Sequence, residues 1–193
     1  MKKLSAIVSD FDDTIFFNKK ALIHAAKDLY DNLIKSKDPS QDYKLLSDLE
    51  ITMEEGKVAK GFNKKWKTNL YTLAYVKYCE ELYPNKPLIN YLNECVKQGS
   101  ELIILSARGE EFRKETEELL NAYNLNYKLV ILPKNHELKD EEWKLLEIKK
   151  LSDKYNHLSL FEDKEENIRY ILNNLDINNI ECYLVNHSFI TKM

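Results

Sequence analysis

Glycine, proline and cysteine are all scarce in this sequence. The 193 residues include 4 glycines, 4 prolines and 3 cysteines. Such low glycine and proline counts leave little room for a flexible linker or a glycine-rich phosphate-binding loop, so we expect no kinase half in this chain. Cys79, Cys95 and Cys182 are odd in number, widely spaced and without a CxxC pair. We therefore expect reduced thiols and a cytoplasmic location rather than a disulfide framework.

Long hydrophobic runs and a strong net charge are also missing. No apolar run is long enough to span a membrane, and Met1 to Lys3 leads too soon into an acidic segment to be a secretory signal, so we expect no membrane partner. The net charge of −3 argues against whole-protein attraction to nucleic acid, although a local basic patch remains compatible with it. Hydrophobic residues make up 44% of the chain, which is enough for the core of one domain.

Apolar runs alternate with helical patterns through most of the chain. Short runs rich in β-branched residues predict strands at 4–9, 101–106, 128–132, 157–161 and 180–185. Helical patterns follow at 87–97, 111–123, 141–155 and 165–175. This alternation predicts βαβ units, so we expect an α/β fold with a doubly wound, Rossmann-like parallel sheet of about five strands.

The stretch from 17 to 86 has helical spacing but no predicted strand. An apolar stripe from Ala21 to Leu33 predicts one helix, and a second from Leu70 to Leu82 ends before Pro84. Breaks are expected at Pro39 and between Gly56 and Gly61. So long a segment is too much for one crossover. We expect a helical cap at 17–86, inserted into a catalytic core made of 1–16 and 87–193.

Three carboxylates follow the first predicted strand directly: Asp10, Asp12 and Asp13. Unpaired buried charge is costly, and open α/β sheets bind ligands at the carboxyl ends of their strands. Asp10 and Asp12, two residues apart, could point the same way with one backbone carbonyl between them. That arrangement suits a hard cation such as Mg²⁺. The alternative is a helix N-cap, for which one aspartate would suffice.

Further polar residues follow or precede the other predicted strands. Ser106 could donate a hydrogen bond to a phosphoryl oxygen, or simply belong to a turn. Lys144, early in the helix before the fourth strand, could supply a point charge, or be an ordinary surface lysine. Asp163, after that strand, could complete a metal shell, or cap the next helix. Lys134 and Lys139 also precede the fourth strand, but they come before the helix and are typical of solvated loops.

In their order along the chain, these residues resemble the four-motif signature of the haloacid dehalogenase-like (HAD) phosphohydrolases. The first motif, D-x-D-x-T followed by an aliphatic residue, is matched from Asp10 to Ile15. The second is an apolar strand ending in Thr or Ser, and is matched at Ser106. The third, a lysine opening a helix, is matched at Lys144. The fourth, an acidic pair or D-x-x-x-D/N, is matched from Glu162 to Asn167.

The resemblance covers about residues 1–16 and 87–186, and it implies a Mg²⁺-dependent phosphatase. Asp10 would be the nucleophile that forms an aspartyl-phosphate, and Asp12 would be the general acid and base. For that role we expect surroundings that favour the neutral form of Asp12. Mg²⁺ would bind the Asp10 carboxylate, the Asp12 main-chain carbonyl and Asp163. Asp13 departs from the family, since many members have glycine there.

The resemblance also implies the remaining site residues. Thr14 would support the loop at the phosphate, while Glu162 and Asn167 would orient other side chains. Substrate and phosphate binding are expected at Thr14, Ser106, Ala107, Arg108 and Lys144. Arg108 could read a second phosphate or a base edge, or it could form a surface ion pair with Glu110 or Glu111.

The part from Lys139 to Val185 is similar to the 3′-phosphatase domain of phage-type polynucleotide kinase phosphatases. The features behind this are Lys139-Asp140, Lys144, the acidic pair followed by Lys164, and the closing strand at 180–185. The helical insert departs from that compact domain and is typical of caps on small-molecule phosphatases and nucleotidases. We therefore expect a small phosphorylated metabolite, a nucleotide foremost, as the substrate, with nucleic-acid ends as the alternative.

The insert mixes basic and aromatic residues: Lys57, Lys60, Lys64, Lys65, Trp66, Lys67, Tyr71 and Tyr75. Such a mixture can bind a nucleic-acid backbone and stack on bases, while packed aromatics beside solvated lysines are the alternative. Dehalogenation, phosphonate cleavage and a non-catalytic Mg²⁺- or RNA-binding module are rival functions. Asp12 argues against dehalogenation, because dehalogenases of this fold lack the second aspartate of the first motif. Phosphonate cleavage needs a cap lysine, and no cap lysine here has an apolar setting. The complete set of candidate catalytic residues argues against a non-catalytic module.

Overall fold

The computed structural model describes residues 5–36, 64–134, 137–175, 179–186 and 189–193. Contacts between Cα atoms divide the chain into two compact units, Met1–Phe16 with Pro84–Met193, and Phe17–Tyr83. The expected breaks at Pro39, Gly56 and Gly61 lie outside the described residues, as do Lys57 and Lys60 of the basic and aromatic segment.

The strands and helices of the described residues follow the predicted alternation. The strands are β1 (Ser5–Ser9), β2 (Phe16–Phe17), β3 (Tyr83–Pro84), β4 (Glu101–Leu105), β5 (Leu129–Ile131), β6 (His157–Glu162), β7 (Ile180–Asn186) and β8 (Phe189–Lys192). The α-helices are α1 (Lys19–Ser36), α2 (Lys64–Thr72), α3 (Lys86–Lys97), α4 (Arg113–Ala122), α5 (Asp140–Ser152) and α6 (Glu165–Asn174). No described helix combines the length and apolar character of a membrane span.

The first unit is built on a sheet with the order β5-β4-β1-β6-β7-β8. β5, β4, β1, β6 and β7 are parallel, and β8 pairs antiparallel with β7 at the edge. The predicted α/β fold with a doubly wound parallel sheet is confirmed. β8 was not predicted, because all four of its side chains are exposed and the strand therefore lacks the alternation that marks a half-buried strand.

Helices α5 and α6 cover one face of this sheet. Alternate residues of neighbouring strands, Ala6 and Val8 in β1 and Leu158 and Leu160 in β6, lie in one buried cluster with Ile148 of α5. The intervening residue of β1, Ile7, is 5% exposed, so the strand is buried on both faces. This explains its nearly continuous apolar sequence, because a central parallel strand has no solvent-facing side.

The second unit packs α1 against the segment that begins with α2. Its core is an alanine-rich stripe of α1 together with residues near Leu70: Ala21, Ala25, Ala26, Leu29, Leu70, Ala74, Tyr75 and Leu82. Lys77 pairs with Asp28 across the two elements. The predicted single helix from Leu70 to Leu82 is wrong in its second half. A π-helical turn at Leu73–Lys77 and a 3₁₀ turn at Cys79–Glu81 follow α2, because apolar spacing reports the buried face and not the local winding.

The basic and aromatic segment has residues both in the core and at the surface. Tyr75 is 4% exposed and stacks on Tyr71, with ring centroids 5.5 Å apart. Lys67 is exposed. For Tyr75 the packing alternative is therefore correct, since a ring buried in this unit cannot stack on a base.

Two substitutions in α5, two residues apart, should show how much its packing on the sheet contributes to the free energy of unfolding. Ile148 is fully buried and Leu146 is 46% exposed. Ile148→Ala should lower the free energy of unfolding by about 2–5 kcal/mol, because it leaves a cavity under the helix. Leu146→Ala, the control, should change it by less than about 0.5 kcal/mol. Urea denaturation measures both, and equal losses would contradict the packing described for α5.

Candidate active site

The strand order brings the polar residues of three separate segments to one edge of the sheet. β1 lies between β4 and β6, so Asp10, Ser106 and Asp163 each follow one of three adjacent parallel strands. The backbone N–H of Asp10 donates to the carbonyl of Phe161 at 2.9 Å, which ties the residue after β1 to β6. The site therefore forms at the carboxyl edge of the sheet, where open α/β folds bind ligands.

A buried lysine lies at the centre of this edge. Lys144 is 1% exposed, and its Nζ lies 2.9 Å from Oδ1 of Asp10, 2.8 Å from Oε2 of Glu162 and 3.5 Å from Oδ1 of Asp140. Burial lowers the pKa of Lys144, but the three carboxylates outweigh that effect and raise the pKa well above its ordinary value. Lys144 is therefore a fixed positive charge against the Asp10 carboxylate.

Glu162 and Asn167 hold this lysine in place. Glu162 is fully buried, and its Oε1 accepts hydrogen bonds from Nδ2 of Asn167 at 3.0 Å and from the backbone N–H of Lys164 at 3.3 Å. Because its other oxygen accepts from Lys144, both oxygens of Glu162 are engaged. The structure thus places Glu162 and Asn167 behind Lys144, as the orienting role predicted for them requires.

Asp140 joins the same network and was not among the predicted site residues. Its Oδ2 lies 2.8 Å from Nζ of Lys164 and 3.2 Å from Nδ2 of Asn167. Asp140 is four residues before Lys144 on α5, a spacing that places the two side chains on one face of the helix. That spacing is the signal in the sequence that could have identified it.

Lys134 and Lys139, the other lysines before β6, are both exposed. Neither has the burial that Lys144 has. The interpretation of these two residues as solvated loop lysines therefore agrees with the structure.

Asp163 completes an acidic group that fits a divalent cation. One carboxylate oxygen each of Asp10, Glu162 and Asp163 lies within 4.8 Å of the others. Oδ1 of Asp163 is buried and has no hydrogen-bond partner among the described residues. Burial, with the neighbouring Glu162 carboxylate, raises the pKa of Asp163 to about 7. Both oxygens of Glu162 accept short hydrogen bonds, whereas, within the described part of the chain, Asp163 has an unpartnered oxygen and Oδ2 of Asp10 accepts only one long bond. Asp10 and Asp163 are therefore the acids of this group that best fit a hard cation such as Mg²⁺.

Asp10 itself lies in surroundings that do not favour its charge. Burial raises its pKa well above the ordinary value, the Lys144 charge lowers it, and the carboxylates of Glu162 and Asp163 raise it again. Thr14 is fully buried, and its Oγ1 donates a long hydrogen bond of 3.4 Å to Oδ2 of Asp10. An additional positive charge beside Asp10 would therefore stabilise its carboxylate form.

Asp12 has a partner that the sequence did not predict. Its Oδ1 accepts from Nη2 of Arg108 at 2.6 Å, and its Oδ2 accepts from Nε of Arg108 at 3.1 Å. This two-bond geometry matches a guanidinium to a carboxylate anion. The expected surroundings that favour a neutral Asp12 are thus not what the structure shows, because the neighbour is a cation.

Arg108 is held from three sides and is not on the surface. Its side chain is fully buried, its guanidinium carbon lies 4.3 Å from the centre of the Phe11 ring, and Nη1 donates to Oγ1 of Thr116 at 3.4 Å. Glu110 pairs instead with Arg113 at 2.5 Å. The alternative of a surface ion pair is therefore wrong in placing Arg108 at the surface, and the substrate-reading role of Arg108 stays a prediction.

The remaining predicted residues lie on the two loops that carry Asp12 and Arg108. Ser106 is 1% exposed, and its Oγ accepts from the backbone N–H of Arg108 at 3.3 Å, while Ala107 is partly buried. Asp13 has a φ of 58°, in the left-handed region that favours glycine. Aspartate is among the few other residues enriched there, which explains how this chain departs from the glycine of many HAD members at that position.

Comparisons with known proteins identify the fold. No family model matches the sequence, and none of the curated proteins matches it. One similar structure is the Pnkp1/Rnl/Hen1 RNA repair complex, with a TM-score of 0.58, 19% identity and 95% of this chain covered. This chain spans 42% of the length of that matched chain.

Two shorter structures also match. A hydrolase of the haloacid dehalogenase-like family from Streptococcus pneumoniae has a TM-score of 0.55 and 13% identity, over 96% of this chain and 86% of its own. A predicted phosphatase from Clostridium acetobutylicum has a TM-score of 0.59 and 16% identity, over 97% and 86% of the respective chains. At these identities the likeness is one of fold, and it covers nearly the whole chain.

The raised pKa of Asp163 predicts how stability depends on pH when no divalent cation is present. The pKa of Asp163 is 3.8 in the unfolded chain, its ordinary value, and about 7 in the folded protein. Between these values the folded state binds more protons, so this group makes the protein less stable as the pH rises. Asp163→Asn cannot ionise, so it should lose less stability than the parent as the pH rises from about 4 to about 7.

Thermal unfolding in a chelator measures this difference, with Asp153→Asn as the exposed control for the same chemical change. Added Mg²⁺ should raise the midpoint temperature of unfolding of the parent and of Asp153→Asn, and it should leave the midpoint temperature of Asp163→Asn nearly unchanged. Identical pH slopes for the parent and Asp163→Asn would show that Asp163 does not carry the shift.

Proposed function

We propose that this chain, which has the fold of the HAD-like hydrolases, is a phosphatase that transfers a phosphoryl group from a phosphomonoester to Asp10 and then to water. One observation carries the proposal. Buried Lys144 holds the Asp10 carboxylate at 2.9 Å, beside the unpartnered oxygen of Asp163. Phosphoryl transfer requires a fixed positive charge, a carboxylate nucleophile and an acid that can bind a cation, and all three lie at one edge of the sheet.

In the first half of the reaction, a carboxylate oxygen of Asp10 attacks phosphorus. A bond forms between that oxygen and phosphorus, and the bond from phosphorus to the ester oxygen breaks. The departing oxygen takes a proton from Asp12, which leaves Asp12 as a carboxylate. Lys144 offsets the negative charge of the transferred group, and Ser106 is placed by its strand end to donate a hydrogen bond to it.

In the second half, water hydrolyses the aspartyl-phosphate. Water gives a proton to the Asp12 carboxylate and attacks phosphorus, and the bond between phosphorus and Asp10 breaks. Arg108 contacts both oxygens of Asp12, at 2.6 and 3.1 Å, and so orients the carboxyl group that receives this proton. Asp12 finishes protonated and Asp10 ionised, ready for the next substrate.

Mg²⁺ is the cation that fits this site best, and Asp10 and Asp163 would hold it together with the main-chain carbonyl of Asp12. When bound, it supplies positive charge that keeps both acids ionised and lowers their repulsion of the phosphoryl group. The raised pKa values of Asp10 and Asp163 support this assignment, because both acids lack sufficient compensating charge by themselves.

A small phosphorylated metabolite, with a nucleotide foremost, is our proposed substrate. The unit Phe17–Tyr83 is helical and is inserted between β1 and the rest of the core in sequence. Inserts of this kind are typical of phosphatases whose substrates are small. Nucleic-acid ends are the second candidate, favoured by the match of 95% of this chain to part of an RNA repair complex.

Replacing the nucleophile should abolish turnover. Asp10→Asn removes the anionic oxygen, so Mg²⁺-dependent phosphate release from an aryl phosphate should fall to background. Asp153→Asn, the exposed control, should keep the parent rate. Acid-quenched parent protein should also carry a phosphoryl group on the peptide that contains Asp10. Full turnover by Asp10→Asn would refute the nucleophile, and binding without turnover by the parent would favour a non-catalytic module.

A substrate panel separates the two candidate substrates. We expect mononucleotides and other small phosphomonoesters to be hydrolysed with a higher kcat/KM than 3′-phosphorylated oligonucleotides. Changing Lys64, Lys65 and Lys67 together to Gln should then leave mononucleotide hydrolysis unchanged. A preference for oligonucleotides that this triple variant weakens selectively, most strongly at low salt, would favour nucleic-acid ends instead.

A further inference from the structure

We propose that Asn85 is a positioning residue for the loop Asp10–Phe16, and this inference rests on the proposed function of that loop. Asn85 lies between β3 and α3 and is 6% exposed. Its side-chain Nδ2 donates to the carbonyl of Thr14 at 3.0 Å, and its backbone N–H donates to the carbonyl of Ile15 at 2.8 Å. A residue 71 positions away in sequence therefore binds the loop at two consecutive carbonyls.

The chemistry of the two partners fixes the orientation of the Asn85 amide. Its Oδ1 accepts from the backbone N–H of Leu88 at 3.3 Å and thereby caps α3. The carbonyl of Thr14 can only accept and the N–H of Leu88 can only donate, so only one orientation satisfies both. An amide of this length can serve both partners. A carboxylate has no donor, and a hydroxyl is too short to reach in both directions.

The loop is fastened at its start by one element and at its end by another. Asp10 donates to Phe161 of β6, and Asn85 binds Thr14 and Ile15. Between these anchors the loop closes on itself, because the N–H groups of Ile15 and Phe16 both donate to the carbonyl of Phe11 at 3.0 Å. Bonds within the loop fix its shape, whereas Asn85 fixes its position relative to α3.

Thr14 connects this anchor to the proposed nucleophile. Its carbonyl accepts from Asn85, and its hydroxyl donates to Oδ2 of Asp10 at 3.4 Å. Releasing the carbonyl lets the Thr14 backbone shift, and with it the hydroxyl that orients the carboxylate. A displacement of about 1 Å in a reacting group can cost about 10²-fold in rate.

Two substitutions separate positioning from helix capping. Asn85→Ser and Asn85→Asp both keep an oxygen that can cap α3, and both lose the amide donor to Thr14. Asn85→Ser adds no charge, so it also controls for the charge that Asn85→Asp introduces. Pro87→Ala, at the exposed second residue of the same helix, changes the start of α3 and leaves the Asn85 amide in place, so it is the control for a merely structural effect.

We expect kcat at saturating Mg²⁺ and substrate to fall by about tenfold or more in both Asn85 variants, with KM changed much less. Pro87→Ala should keep kcat within about twofold of the parent. The proposal is overturned if both Asn85 variants keep the parent kcat, or if Pro87→Ala loses as much kcat as they do. A loss in Asn85→Asp alone would assign the effect to the added charge and would overturn it as well.

Hydrogen exchange tests the same contact without any turnover. The backbone amides of Ile15 and Phe16 should exchange faster in both Asn85 variants than in Pro87→Ala, because the loop end has lost the side-chain bond to Thr14 and keeps only the backbone bond from Asn85 to Ile15. Equal exchange in all three variants refutes the positioning role. An active parent with unaffected Asn85 variants defeats this inference alone, while a parent inactive on every substrate defeats the proposed function and leaves exchange to decide the role of Asn85.

Discussion

Charge balance around Lys144 is the constraint on which the rest of the site depends. Asp10, Glu162 and Asp140 surround its buried Nζ, and an isolated buried ion of either sign is costly. Each group is therefore stable only while the others stay in place, which requires the first turns of α5 to lie at the carboxyl edge of the sheet. Asp163 is left outside this balance, and its buried oxygen without a partner among the described residues is the reason why the acidic group fits a cation.

The two aspartates of the D-x-D motif differ in their partners, and this difference underlies the different roles proposed for them. Asp10 faces a lysine and two further carboxylates, whereas Asp12 faces the guanidinium of Arg108. The proposed nucleophile thus lies against a buried cation and two acids, and the proposed general acid and base is oriented by a guanidinium. The difference arises because Asp10 and Asp12, two residues apart on one loop, face different elements: Lys144 of α5 lies against Asp10, and Arg108, after β4, lies against Asp12.

Hydrophobic periodicity predicted the parallel strands, and the parallel sheet in turn brings Asp10, Ser106 and Asp163 to one edge. The partner of Asp12 was not predictable in this way. Arg108 lies 96 residues from Asp12, and its bond depends on a side-chain conformation that no spacing records. The same holds for Asn85. β8 was missed for a different reason, because an exposed edge strand needs no apolar pattern. The hydrophobic pattern of a sequence therefore predicts which residues are buried, whereas the partners of polar side chains depend on the tertiary structure.

The place where the insert leaves the core explains why the loop needs an external anchor. The chain enters the second unit directly after Phe16 and returns at Pro84, so the loop with both aspartates ends where the core is interrupted. β2 and β3 pair at these two points, and Asn85 follows immediately. Without the bonds from Asn85, the last residues of the loop would be held mainly by the unit that follows them, Phe17–Tyr83. The bonds from Asn85 to Thr14 and Ile15 tie the loop Asp10–Phe16 to the start of α3 and make it a part of the core, whatever the insert contains.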